Sequence, residues 1–284
     1  MPELPEVEVL ARHLRPLLNG KVLRSVEVRR AKVLQPTSVS RFQKELCGAK
    51  FLGLHRRGKY LMFELRRPAT REKFFLLGHL GMTGRMYLAP KHAPLPKHAA
   101  VVLHLGARKF IYEDARYFGR LTLDISAVEK LGAEPWDNNF SAERFYKKLK
   151  TSRQPVKVKL LDQALIAGVG NIYASEALFR AGISPRRAAN KISLARTEKL
   201  LAAIRAVMQE AIDCGSTIPL NFAGRQKPDG LFYFGRAAGT PDYYVERLCV
   251  YDRAGQPCVN CGRPVKRMVQ AARSTFYCPH CQKE

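Results

Sequence analysis

The sequence predicts an α+β multidomain protein: a β-sandwich led by an N-terminal helix, a helical domain, and a C-terminal β-hairpin built on four cysteines. Three observations carry that reading. From Lys21 to about Leu123 the chain is a series of short runs rich in Val, Leu, Phe and Tyr, broken by Gly, Pro and basic residues. From Ser141 to Gly215 apolar residues recur at helical spacing, and residues 258–281 hold two C-x-x-C pairs. With 284 residues, 46% of them hydrophobic, the chain can bury a sizeable core, and its length suits two or three domains.

Taken in order, Val7, Leu10, Leu14, Leu17 and Leu18 repeat at helical spacing behind Pro5, which suits a first turn; Gly20 suits a stop. The runs KVLRSVEVRR, KYLMFELRR, KFFLLGHLGMTGRMYL, AAVVLHLG, RKFIYED and RLTLDI then read as strands of a sandwich or barrel. LGAEPWDNNF, residues 131–140, gathers turn signals and ends the first module, giving domains at 1–132, 133–245 and 246–284. Beyond it SAERFYKKLK, VKVKLLDQALI, IYASEALFRA and SLARTEKLLAAIRAVMQEAIDCG are helical in period, the last with Ser193 as N-cap and Gly215 as stop. Residues 216–245 are rich in Gly, Pro and aromatics and show no period.

Lys and Arg total 49 against 24 Asp and Glu, a formal net charge of +25 spread along the chain. Such an excess points to a polyanionic partner and argues against cationic substrates and against an acidic interaction protein. Apolar stretches such as Phe74–Leu77 fall far short of the roughly 18 residues of a membrane span, and MPELPEVEVL lacks the basic and apolar regions of a secretory signal, so a reducing cytoplasm is expected. Seven cysteines, four of them in C-x-x-C pairs, suit metal binding better than a disulfide framework.

Cys258 and Cys261, with Cys278 and Cys281 beyond a 16-residue interval, can close a tetrahedral shell around one Zn2+ at the base of a hairpin. His280 is an alternative ligand beside Cys281. Arg263, Lys266, Arg267 and Arg273 are expected around the hairpin's turn, facing DNA phosphates. Cys47, Cys214 and Cys249 have no partner spacing and read as buried thiols. At the other terminus, removal of Met1 would leave Pro2 as a secondary amine. An α-amino group has a reference pKa of roughly 7.7 to 8.0, and a helix N-terminus favours its neutral, nucleophilic form. Such an amine can attack a sugar C1′ and form an iminium, with Glu3 and Glu6 within reach for proton transfer. Taken alone, MPELPE also suits an ordinary capped helix.

PELPEVE at residues 2–8, QALIAGVGNIYASEALF at 163–179 and the four-cysteine hairpin occur together and in this order. On these motifs the chain resembles the formamidopyrimidine-DNA glycosylase family, bacterial base-excision repair enzymes related to endonuclease VIII, from residue 2 to 284. The resemblance implies a helix-two-turn-helix domain, a C-terminal zinc finger, and a DNA-associated monomer acting on duplex DNA with oxidised bases or abasic sites. It implies Pro2 as nucleophile, Glu3 as the group assisting base release and ring opening, and Lys59, in RRGKY, as a catalytic-site lysine. It implies phosphate contacts at Lys157, in PVKVKLLDQ, at Asn171, in GVGNIY, and at Arg273, in RSTFYC. Gly168 and Gly170 would let a phosphate approach the backbone at a helix N-terminus.

An extruded base leaves a gap in the stack. The resemblance assigns the filling of that gap to Met82, in HLGMTG, and to Arg116 and Phe118, in DARYFG, with His79 as a further DNA contact; a wedge between bases suits a thioether and a ring. Apart from the resemblance, Met82 and Phe118 also fit core packing, His79 a core histidine and Lys59 a surface cation. The opening PELPEVE favours oxidised purines (8-oxoguanine, formamidopyrimidines), with β- and then δ-elimination after base release. The long segment at 222–245, with Phe232, Tyr233 and Phe234, leaves room for an endonuclease VIII-like preference for oxidised pyrimidines. A catalytically inert zinc-hairpin DNA-binding protein is the rival from another class.

Overall fold

Local chemistry starts the first helix. Glu3 is its N-cap in extended backbone, Pro5 sits in the first turn, and Glu6 Oε2 accepts the Glu3 N–H at 2.7 Å, closing a capping box. The computed structural model describes residues 2–213 and 248–283. In it α1 spans Leu4–Leu18, burying Val7, Leu10, Leu14 and Leu18, and the chain turns at Gly20 with φ 77°, a left-handed conformation that glycine adopts without strain.

The next elements are β1 (Ser25–Val28), α2 (Val39–Leu46), β2 (Lys50–Arg57), β3 (Tyr60–Arg66), β4 (Lys73–His79), β5 (Arg85–Pro90), β6 (Ala99–His104), β7 (Arg108–Glu113), β8 (Arg120–Thr122) and the short helix α3 (Ser126–Glu129). The strands form two four-stranded antiparallel sheets, ordered β1-β6-β7-β5 and β2-β3-β4-β8. Alternation along β3 buries Leu61, Phe63 and Leu65, which share one core with Leu10 and Leu14 of α1, Phe42 of α2 and Phe110 of β7. This is the expected sandwich, with two refinements. KFFLLGHLGMTGRMYL is two strands in different sheets, because Gly81, at φ 59°, turns the chain between them. The region also contains α2, capped by Ser38 Oγ accepting from Arg41 N at 3.4 Å, and β2, whose pattern is interrupted by a register shift between Phe51 and Gly53.

Residues 130–213 and 248–283 belong to a second compact unit. Its helices are α4 (Ala142–Lys150), α5 (Val156–Leu160), α6 (Asn171–Arg180) and α7 (Leu194–Asp213), with Ser141 and Ser193 accepting backbone N–H bonds at the starts of α4 and α7. VKVKLLDQALI is helical only over α5. Asp162 and Gln163 side chains accept from Ala164 N at 3.0 Å and Gly168 N at 2.9 Å, and these local bonds compete with helix. The finger is an antiparallel hairpin of β9 (Lys266–Gln270) and β10 (Arg273–Tyr277), turning through Ala271 and Ala272, both at positive φ. Arg263 and Lys266 are not near that turn: Lys266 pairs with Tyr277 at the far end of the ladder, and the Arg263 carbonyl accepts from Cys258 N at 2.8 Å in the cysteine knuckle at that same end. Among the described residues no helix is long and apolar enough to cross a membrane. Gly215, Cys214 and the aromatics Phe232, Tyr233 and Phe234 lie outside the described residues.

Candidate nucleic-acid interface and metal centre

One end of the sandwich collects the sequence-predicted residues of the first unit. Arg15 Nε donates to Leu54 O at 2.8 Å and Arg56 Nε pairs with Glu8 at 2.7 Å, so α1 runs along β2 with its N-terminus continuing toward the β2–β3 turn that contains Lys59. Pro2, Glu3, Glu6 and Lys59 are all buried. Strand register then places Tyr60 opposite His79 and His79 opposite Arg120, so Lys59, His79 and the loop leading into β8 share that end.

His79 is held as a neutral donor. Its ring packs on Tyr60 with centroids 4.7 Å apart, and Nδ1 accepts from Gly81 N at 3.2 Å, which assigns the ring proton to Nε2. Burial, and then the Lys59 and Arg120 charges, push its pKa down to about 4. Past His79, the Met82 turn and the Arg116–Phe118 turn are pressed together: a Cβ on Gly81 would lie 2.5 Å from Gly119 N, and one on Gly119 would lie 2.1 Å from Tyr112 Oη. Met82 is 46% exposed and Phe118 51%, which removes the core-packing alternative for both. The Arg116 guanidinium lies 4.7 Å from the centroid of the Phe118 ring.

In the second unit, Lys157 is 0% exposed. Its ammonium donates to Asn171 Oδ1, to Thr275 Oγ1 at 2.9 Å and to Ser274 O at 3.3 Å, while Asn171 Nδ2 donates to Ser274 O at 2.9 Å. Helical domain and finger are thus joined at the N-terminus of α6, where Gly170 is the N-cap and Gly168 has φ 94°. Arg273 is exposed beside this junction, at the start of β10. Gln163 braces the glycine loop, its Nε2 donating to Val169 O at 2.8 Å and Leu161 O at 3.1 Å. Glu176, 2% exposed in α6, accepts from the backbone N–H groups of Cys249, Val250 and Tyr251 at 2.8 to 2.9 Å and so fixes the segment entering the finger. Sequence reasoning passed over Gln163, Glu176 and Asp114. The available signal for Glu176 was a carboxylate inside the otherwise apolar run of α6, since a buried charge requires donors.

The four cysteine sulfurs lie within 4.8 Å of one another, with Cys258–Cys281 at 3.8 Å and Cys261–Cys278 at 3.6 Å. A tetrahedral zinc with Zn–S bonds of about 2.3 Å sets its sulfurs about 3.8 Å apart, so the donor set fits one structural zinc. Burial and the three neighbouring thiols push Cys281 up to about 12 as long as no metal holds the cluster together as thiolates. His280 is not in the cluster. Cys47 is exposed rather than buried and Cys249 half-buried.

A β-sandwich, a helical domain and a four-cysteine finger follow one another along the chain. Family models match each part: the formamidopyrimidine-DNA glycosylase N-terminal domain over residues 1–121, the H2TH domain of the same enzymes over 131–221, and the zinc finger found in FPG and IleRS over 255–283. The chain belongs to the formamidopyrimidine-DNA glycosylase family. It is 38% identical to the formamidopyrimidine-DNA glycosylase of Carboxydothermus hydrogenoformans over the whole of both chains, and 40% identical to that of Thermus thermophilus over 100% of this chain and 99% of the other. Among solved structures it is similar to the Lactococcus lactis Fpg in complex with abasic-site DNA (TM-score 0.85, 32% identity, 99% of this chain and 100% of the other). The same Lactococcus protein bound to DNA containing an oxidised pyrimidine gives a TM-score of 0.86 at 32% identity, covering 100% of both chains.

Proposed function

We propose that the chain is a bifunctional DNA glycosylase and AP lyase that removes oxidised purines, 8-oxoguanine and formamidopyrimidines, from duplex DNA. One observation carries the reading: Pro2 is buried at the head of α1, next to the Glu3–Glu6 capping box and on the helix end that continues toward Lys59. A DNA-binding module has no need of a carboxylate pair around its second residue.

With Met1 removed, the Pro2 nitrogen attacks C1′ of the lesion nucleotide. The C1′–N bond to the base breaks, the base leaves with the electron pair and a proton, and the amine loses its proton. Glu3 protonates the sugar ring oxygen as the ring opens, giving a C1′ iminium. Loss of the C2′ proton expels the 3′ phosphate, and δ-elimination then expels the 5′ phosphate. Met82, Arg116 and Phe118 occupy the vacated stack, and neutral His79 donates through Nε2 to a phosphate. Arg273 contacts a phosphate directly. Lys157, whose ammonium is engaged with protein acceptors, adds positive charge beneath the N-terminus of α6 and Asn171. The zinc holds the hairpin and takes no chemical part. The chain acts as a cytoplasmic, DNA-associated monomer.

Borohydride trapping on duplexes carrying an abasic site or 8-oxoguanine tests this, with the expected result a covalent adduct that disappears on Pro2→Gly or on blocking the N-terminus. No adduct points to the inert binder, and an adduct indifferent to both changes overturns Pro2 as the nucleophile. The oxidised-pyrimidine complex of the Lactococcus protein keeps a second lesion class in view, and comparing excision of 8-oxoguanine with thymine glycol decides between them.

A further inference from the structure

Asp114 has no part in the chemistry above, yet its carboxylate accepts four hydrogen bonds at that end of the sandwich. It is 0% exposed. Oδ1 accepts from Thr83 Oγ1 at 2.5 Å and from Arg116 N at 3.1 Å; Oδ2 accepts from Gly119 N at 2.9 Å and, at 3.4 Å, from Tyr112 Oη. Its charge is met by dipoles, for among the described residues it forms no ion pair. Tyr112 lies on β7, and the other three donors come from two separate turns. Thr83 follows Met82, whereas Arg116 and Gly119 bracket Phe118.

Two further features make the junction stiff. Gly81 and Gly119 pack backbone to backbone with no room for a Cβ on either. Between Arg116 and Phe118, Tyr117 takes φ 53°, a conformation costly for a residue with a side chain, and its ring packs on the sandwich core while its hydroxyl accepts from Arg30 Nε at 3.2 Å. Turning Tyr117 inward leaves its two neighbours to face out.

We infer that Asp114 is a positioning residue: it makes the Met82 turn and the Arg116–Phe118 turn one rigid wedge, so that all three side chains enter the duplex together when a base is extruded. A wedge assembled beforehand does not lose loop entropy at insertion, and ordering two loose turns at that moment would weaken the extruded state. The inference rests on the glycosylase reading above.

Thr83→Val and Asp114→Asn test it. Thr83 is exposed, so its replacement threatens the fold least, and it deletes only the bond from Asp114 to the Met82 turn. Asparagine keeps one acceptor oxygen and leaves a backbone N–H unmatched. Two substrates are compared: 8-oxoguanine in a fully paired duplex, which must be extruded, and an abasic site in single-stranded DNA, which need not be. Fluorescence of a 2-aminopurine beside the lesion follows wedge insertion. For Asp114→Asn the expected loss in kcat/KM on the paired duplex is about tenfold or more, with a smaller loss for Thr83→Val and a matching loss of 2-aminopurine signal. Borohydride trapping on the single strand should stay within about twofold of wild type, since that step makes no use of the wedge. Equal losses on both substrates, or no loss on the duplex with either variant, overturn the inference. Failure of the glycosylase reading is distinct, because wild-type protein would then trap neither substrate.

Discussion

Replacing Glu176 with Gln removes a charge that three backbone N–H groups share. Glu176 Oε1 accepts from Val250 and Tyr251 and Oε2 from Cys249. Glutamine keeps one acceptor oxygen. Placed on the Oε1 side, it retains two bonds without charge assistance and sets its amide NH2 against the Cys249 N–H. An orphaned buried donor costs about 1–3 kcal/mol, and exchanging two charge-assisted bonds for neutral ones costs about 2 more, so Glu176→Gln should lose about 3–5 kcal/mol. The loss is local to the segment that enters the finger, which gives two assays. Urea unfolding of the zinc-loaded protein measures the free energy, and transfer of zinc to a fluorescent chelator measures how often the finger opens. A third readout follows from the neighbouring thiol. Burial, and then the Glu176 charge, hold Cys249 up to about 11, and the variant should bring it down toward the ordinary range and speed alkylation at mildly alkaline pH. A stability change below about 1 kcal/mol together with unaltered zinc transfer would refute the argument that this carboxylate fastens the finger.

Two other outcomes are expected. His79 is depressed from 6.5 to about 4 in the folded protein, so the unfolded chain binds the extra proton between those values. The His79 contribution to stability should therefore be constant above pH 6.5 and fall by up to about 3 kcal/mol as pH drops toward 4, so urea titrations should find the slope in this window reduced in His79→Asn. Stripping zinc should weaken DNA binding beyond the loss of Arg273, because Ser274 and Thr275 also anchor Lys157. In a plot of log affinity against log salt, Arg273→Ala should reduce the slope by about 0.9 and chelation by about twice that or more.

Much of the fold was legible because its signals are local. Helical spacing and a capped start define α1, α6 and α7, short strand-like runs define β3, β4, β6 and β7, and the C-x-x-C spacing defines the finger. Helix α2 was missed because eight residues carry too few periods to register, and β2 because its register shift breaks the alternation. The site divides along the same line. Pro2, Lys59, Met82, Phe118, Asn171 and the cysteines act through side chains that short motifs name; Asp114, Gln163 and Glu176 also lie in the quoted motifs DARYFG and QALIAGVGNIYASEALF, but their backbone partners are set by the fold and are not visible in the motif. Arg263, Lys266 and Cys47 were misplaced because local sequence fixes residue type at a turn but not which turn reaches the surface.

Asp114 and Glu176 also show how a chain with a formal charge of +25 can contain buried acids without neutralising its binding surface. Had either been satisfied by Lys or Arg, the pair would have withdrawn a cation from the DNA-facing excess, as Glu8 does with Arg12 and Arg56. Instead each accepts from backbone N–H groups, Asp114 also from hydroxyls. Backbone donors are fixed in space, so a carboxylate that satisfies several at once is a geometric device rather than an electrostatic one. Asp114 joins turns 31 residues apart, and Glu176 joins α6 to a segment 73 residues further on. Each lies behind an element assigned to DNA: the wedge in the first case, the α6–finger junction in the second. Conservative amide substitutions at these two positions leave the surface cations in place and remove one negative charge each, so a loss of DNA-dependent function that remains in folded protein is a loss of positioning and not of attraction to the polyanion.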